Sequence, residues 1–295
     1  MPTALRRLLD QRARPLTPRT RGLLLAITAA GVLGATIWAW RSSELAIGDL
    51  EWLPIVVLFA VAAPLSLLLK AAEFRAAAAI ADQRPGLTRC LDVAVLSSAA
   101  NLLPLPGSLL VTVQSLAEDG TTYGTAVNAS AVPGLTWLSI TGVIGGGAIA
   151  VEGNVWLGLA VAAAGLAVAI VAATMFTRTA PAEQRIALAL VIVLVEAGWL
   201  AVSALRLGLA VSALGVSIDP LQAVALSVAG AITVAIGFFP GGLGVREALL
   251  AALAPIIGLE LDTGVLLGSL DRVVWLTFLA VAATLSVAAA SRRTA

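Results

Sequence analysis

Long apolar stretches alternate with short polar punctuation along nearly the whole chain. Runs near 22–40, 52–80, 125–150, 154–176, 184–213 and 263–290 are apolar throughout or carry isolated charges. At about 1.5 Å of helix per residue, runs of this size cross a hydrocarbon core of about 30 Å. Two further apolar segments, 88–118 and 219–257, are interrupted, the first at "NLLPLPGS" and the second at "FFPGGLG". Proline removes a helix donor and glycine permits backbone angles other residues avoid, so each segment is expected to fold as two helical arms joined by a turn. The pattern predicts an all-α polytopic membrane protein with about six full spans and two broken, re-entrant helical hairpins. The 52–80 and 184–213 runs exceed what a bilayer needs, so tilt or protrusion is expected there.

Composition strengthens this reading. The 295 residues are 60% hydrophobic with mean hydropathy +1.01, and 12% are charged, against about 25% in soluble domains. Charge then orients the spans. Twelve of the 18 basic residues lie in the N-terminal tail, in 82–89, in 177–185 and at the C-terminus. The intervening loops at 41–51, 151–154, 214–219 and 258–262 hold one basic residue, Arg41, and seven acids. The first group is therefore placed in the cytoplasm. Residues 1–21 read as a basic cytoplasmic tail ahead of a retained helix, since no small-residue cleavage site follows the first apolar run. Residues 22–291 read as one transmembrane domain and 292–295 as a short cytoplasmic tail. Trp38, Trp40 and Trp52 are placed as interfacial anchors. A net charge of +1 suggests no nucleic-acid partner.

This orientation constrains the interrupted segments. With 82–89 inside and 151–154 outside, 88–118 must return to the side it left, as a hairpin from the cytoplasm. The same count makes 219–257 a hairpin from outside. The halves also resemble each other: "CLDVAVLSSA" at 90–99 aligns with "PLQAVALSVA" at 220–229, and each is followed by a break, a short helix and a span with Trp137-Leu138 or Trp275-Leu276. The units 52–150 and 184–290 are thus expected to be inverted repeats, with hairpins meeting near the midplane as in many secondary transporters.

The chemistry available is narrow. There is no histidine, and Cys90 is the one cysteine, so no intrachain disulfide or Cys-His nucleophile can form. No Asp/Glu cluster has cation-ligand spacing. No catalytic residue, metal site or cofactor is expected. Six ionisable residues fall inside second-half spans: Glu196, Arg206, Arg246, Glu247, Asp271 and Arg272. Each costs roughly 2.5–3.5 kcal/mol on insertion scales, and three acids with three bases permit full pairing. Arg246 and Glu247 open a helix after the turn formed by Gly241, Gly242 and Gly244, where backbone donors and the positive helix end favour an anion. Arg246 is read as a phosphate contact, as a clamp on Glu196 or Asp271, or as both. Asp271 and Arg272, about 100° apart on a helix, are expected to serve different partners, one the hairpin and the other a cavity. Glu196 is read as an arginine partner or a proton-coupling carboxylate. Asn101, before the first break, is expected to cap a hairpin helix or reach across to the other hairpin. Lys70, Glu73, Arg75 and Asp92 are expected to snorkel toward the cytoplasmic interface.

The stretch "FPGGLGVREALLAAL" at 239–253, followed by "LLGSLDRVVWL" at 266–276, resembles the lysylphosphatidylglycerol synthase transmembrane-region family. That family carries a P-G-G-x-G-x-R-E-A box, here Pro240, Gly241, Gly242, Gly244, Arg246, Glu247 and Ala248, and a later arginine, here Arg272. The layout resembles the family over roughly 50–290, with Asn101, Pro104 and Gly107 as a looser first-half counterpart. The chain departs from it where a Gly-Glu-Leu stretch with an arginine is usual: here stand Gly107, Ser108 and Leu109, and Pro133 and Gly134 replace later charges. The resemblance implies lipid handling, most concretely flipping of an anionic or aminoacylated phospholipid between leaflets of the cell (inner) membrane. The chain carries no aminoacyl-transferase domain, so synthase activity is not expected. Missing first-half charges favour the alternative, a non-transporting accessory subunit that docks a lipid-modifying enzyme. Oligomeric state is left open.

Overall fold

The computed structural model describes residues 47–101, 107–236 and 244–294, together with Ile37 and Arg41. The 1–21 tail, nearly all of the 22–40 run, and Pro104, Pro106, Pro240, Gly241 and Gly242 lie outside the described residues. Among the described residues the fold is all-helical, 88% helix with no strand.

Helix α1 runs Trp52–Ile80. Its second turn widens into a π-helical segment, Leu58–Ala62, just before Pro64, which cannot donate to the carbonyl one turn back. The first interrupted segment forms α2 (Leu87–Ala100) and α3 (Gly107–Glu118). Helices α4 (Tyr123–Val151) and α5 (Val155–Thr179) follow, separated by a tight turn. The Thr122 hydroxyl accepts from Thr125 N and the Asn154 side chain from Leu157 N, so each starts on a capping side chain. Helix α6 spans Arg185–Ala213. The second interrupted segment forms α7 (Pro220–Ile236) and α8 (Val245–Leu253), and α9 is Leu261–Thr294.

Side-chain bonds tie particular loops together at each end of the bundle. Gln83 Nε2 donates to Leu116 O at 3.0 Å, Asp119 O at 3.2 Å and Thr121 Oγ1 at 2.6 Å. The start of α2 and the end of α3 therefore sit together. Gln222 Nε2 donates to Ile257 O at 3.1 Å and to Glu152 Oε2 at 3.5 Å, which joins the start of α7, the turn after α8 and the α4–α5 turn. Glu51 N donates to Ala213 O at 3.0 Å, adding the start of α1 and the end of α6 to the interloop contacts. Each interrupted segment thus begins and ends at one end of the bundle.

Two apolar cores build around these hairpins. One gathers Leu58, Leu207, Val211, Leu226, Leu250 and Leu267 around α7 and α8. The other gathers Phe74, Ile80, Val93, Leu116, Val132 and Ile192 around α2 and α3. Helices α4 and α5 cross closely, because a Cβ on Gly142 would stand 2.9 Å from the Gly165 Cα. The outward face of α5 is apolar and bare, with Leu159, Leu166 and Ile170 exposed. Among the described residues five segments, Trp52–Ile80, Tyr123–Val151, Val155–Thr179, Ala182–Ala213 and Leu261–Leu285, are long and apolar enough to cross a membrane. Lipid is the solvent that such exposed apolar faces require, and this is a membrane protein.

Candidate functional site

The site forms where α8 lies against α9. Helix α8 has nine residues, about 14 Å of helix, and it starts from Gly244 at φ 80°, a left-handed conformation that a side chain resists. Glu247 reaches back so that its Oε2 accepts from Gly244 N at 2.9 Å. That is half of a capping box, since glycine has no side chain to reciprocate. The other oxygen, Oε1, accepts from Arg272 Nε at 2.6 Å. One carboxylate therefore fixes the start of α8 and ties it to α9.

The close approach comes from glycines on α9. A Cβ on Gly264 would stand 2.7 Å from Ala251 Cα and from Leu250 O, and one on Gly268 would meet Leu250 Cδ1 at 2.9 Å. Positions 264, 268 and 272 share one helix face. Two turns of that face are bare backbone for α8 to rest on, and the third carries the arginine that meets Glu247.

Asp271 is the hub of the second half of the site. Its side chain is fully buried. Its Oδ1 accepts from Arg206 Nε at 2.8 Å, and Arg246 Nη1 lies 2.7 Å from Oδ2. Arg206 is held further by Ser66, whose Oγ accepts from Nη1 at 3.3 Å, and by the Trp275 ring, 4.8 Å below the guanidinium. Trp275 stacks on Phe278 at 5.8 Å. Asp271 thus joins α6, α8 and α9. It lies ten residues, about 15 Å, from the Leu261 end of α9, so the cluster is deep in the bundle.

Among the described residues, three guanidinium groups share two carboxylates, which leaves one positive charge in excess. The excess falls at Arg246, whose side chain is 23% exposed against 11% for Arg206 and 10% for Arg272. Arginine has five N–H donors, and one nitrogen of Arg246 faces Asp271. Arg246 is the second residue of α8, so it lies at the positive end of that helix. The arrangement can hold a single anion, and a bidentate phosphate or carboxylate suits the guanidinium best.

The other expected site residues are placed differently. Asp271 and Arg272 do not divide between hairpin and cavity: both bind α8, through Arg246 and Glu247, because α8 straddles the α9 faces that the two residues occupy. Glu196 is 1% exposed and pairs with no arginine among the described residues. It lies ten residues before Arg206 on α6, about 15 Å along the axis, and the charged groups acting on it are Glu73 and Lys70. Those two do not snorkel apart. Lys70 Nζ lies 2.9 Å from both Glu73 oxygens, each side chain being 18% exposed. Asn101 caps its own hairpin, its Oδ1 accepting from Ser108 N at 3.0 Å, and stays within the first half. Gly244 is in place as described, while Gly241 and Gly242 lie outside the described residues. Sequence reasoning missed Ser66 and the cation–π role of Trp275. The position of Trp275, four residues beyond Asp271 on one helix face, was a usable signal; Ser66 offered none. Among the described residues no group of three or more potential metal ligands gathers. No protein-family model matches the chain, and no curated protein matches it.

Proposed function

We propose that this chain is an integral-membrane lipid transporter that moves a phospholipid, anionic or aminoacylated, between leaflets by passing its headgroup along the α8–α9 site. The observation carrying this reading is the unbalanced positive charge at Arg246, a partly exposed side chain beside the fully buried Asp271. An uncompensated charge at such depth is costly and marks substrate pathways, and a phosphodiester supplies the missing negative charge. Its lipid tails would lie along the bare apolar faces outside.

The same reading gives the α2–α3 and α7–α8 hairpins as re-entrant from opposite membrane faces, within inverted repeats 52–150 and 184–290. The bonds of Gln83 and of Gln222 support it, since each closes a hairpin at its own end. On this reading both termini lie in the cytoplasm and the protein in the cell (inner) membrane, and the basic loops support that orientation.

The second reading is an accessory subunit for a lipid-modifying enzyme. It is favoured by the first hairpin, where the ion pair among described residues, Arg89 with Glu118 at 3.4 Å, is exposed. Proteoliposomes containing this chain alone decide between the two. Quenching of labelled inner-leaflet headgroups faster than in empty liposomes supports transport. No movement of any anionic, zwitterionic or aminoacylated lipid leaves the accessory reading.

A further inference from the structure

The carboxyl of Glu196, 1% exposed, is a buried ionisable group that the lipid site does not use. It sits eleven residues into α6, about 17 Å from the Arg185 end. Its Oε1 is buried and has no hydrogen-bond partner. Trp199 Nε1, one turn further along the same face, is a second buried polar atom without a partner. Two polar atoms in one seam between helices point to a small polar species there, because buried polar groups are otherwise satisfied.

Among the described residues, ionisable groups around Glu196 are few. On α1 they are Lys70 and Glu73; Gly198 against Leu69 brings the two helices together at this level, a Cβ on Gly198 standing 3.2 Å from Leu69 Cδ2. Arg75 is exposed and acts on Cys90 of α2. The α4 residues beyond Tyr123 and the whole of α7 carry no ionisable side chain. On α9, Asp271 and Arg272 are engaged by Arg206, Arg246 and Glu247. The local set is therefore one ammonium and two carboxyls. Lys70 neutralises Glu73, and the second carboxyl has no fixed counter-charge. In a low-dielectric seam that imbalance needs one more cation, and the cation that fits a single carboxyl oxygen without further ligands is a proton.

We propose that Glu196, Lys70 and Glu73 form a proton-exchange site. One proton from water adds to a Glu196 oxygen, converting carboxylate to acid, and release returns it to water. The only bond made or broken is O–H, and no redox partner is needed. Lys70 stays charged and can move from Glu73 to Glu196, which shifts the proton to Glu73 at constant total charge. Glu73, 18% exposed, is the more exposed carboxyl and is the exchange point with water. Coupling this exchange to lipid movement rests on the transport reading; proton binding itself does not, and it is measured without lipid movement.

The test is infrared difference spectroscopy of the full chain in lipid nanodiscs, following the C=O stretch of a protonated carboxyl across the pH range in which the fold is intact. The wild type is expected to show a band that changes with pH, shifts in deuterated water and vanishes in Glu196→Gln. In Lys70→Gln a second protonated carboxyl is expected, about doubling the band. Glu196→Asp should move the band rather than remove it, which covers the case in which the glutamine variant fails to fold. A band that is absent, or that is the same in wild type and both Glu196 variants, overturns the proposal. An unchanged amplitude in Lys70→Gln overturns the shared-lysine arrangement.

Discussion

Neutralising Asp271 should be the most damaging single change in the site. The fully buried carboxylate holds Arg206 at 2.8 Å through one oxygen and Arg246 at 2.7 Å through the other. Asp271→Asn keeps the shape but leaves two guanidinium groups without a counter-charge. Removing one partner of a buried pair costs about 3–5 kcal/mol. Arg206 retains Ser66 and the Trp275 face, and a cation–π contact offsets about 0.5–2 kcal/mol. Arg246 retains water on its exposed side. The net expectation is a loss of about 3 kcal/mol or more. Arg246→Ala is different, because Arg206 still neutralises Asp271. That change removes one charged hydrogen bond, worth about 1.5–3 kcal/mol, and should fall at the lower end because the arginine is partly solvated. Reversible unfolding in mixed micelles, or steric trapping in bilayers, measures both. If Arg246→Ala costs as much as Asp271→Asn, Arg206 does not hold Asp271 and the three-residue arrangement is wrong.

Other changes have defined outcomes. Gly264→Val places a side chain against Ala251 Cα and Leu250 O and should separate α8 from α9, costing about 1–3 kcal/mol with broadened size-exclusion profiles. Gly244→Ala must adopt φ 80° and should lose about 1–2 kcal/mol, read in the same unfolding assay. A double-mutant cycle on Glu247→Gln and Arg272→Met should give a coupling of about 0.5–3 kcal/mol; a coupling near zero contradicts the 2.6 Å contact. In a Cys90→Ser background, Glu183→Cys should be labelled from the cytoplasmic side and Glu260→Cys from outside, and external labelling at position 183 refutes the proposed topology.

Run lengths and breaks made the architecture readable. Five of the six apolar runs became helices of membrane-crossing length within a few residues, because hydrophobic length is dictated by bilayer thickness and hardly by neighbours, and the sixth, 22–40, lies almost wholly outside the described residues. The interruptions at Gly107 and Gly244 were legible because their backbone chemistry is local. A Cβ on Gly107 would collide with the Ala100 carbonyl, and Gly244 takes a positive φ. Pairing was legible only as a sum. Three acids and three arginines suggested that all six would pair, whereas five do and Glu196 turns to α1. That outcome depends on how α6 is rotated, which an apolar helix does not encode in its own periodicity. Ser66 could not be found because a serine in an apolar helix commonly bonds its own backbone, as Ser66 also does to Ala62 O at 2.8 Å.

The central claim is that Arg246 contacts a lipid phosphate while holding Asp271. The most direct measurement is the rate of headgroup exposure in proteoliposomes containing only this chain, compared between wild type and Arg246→Lys at matched reconstitution. Lysine keeps the charge and can still neutralise Asp271, but it loses the planar fork that grips a phosphate in two places. The account predicts that transport falls well below wild type while thermal stability stays close to it. Transport in Arg246→Lys equal to wild type, or lost only in step with stability, would contradict it.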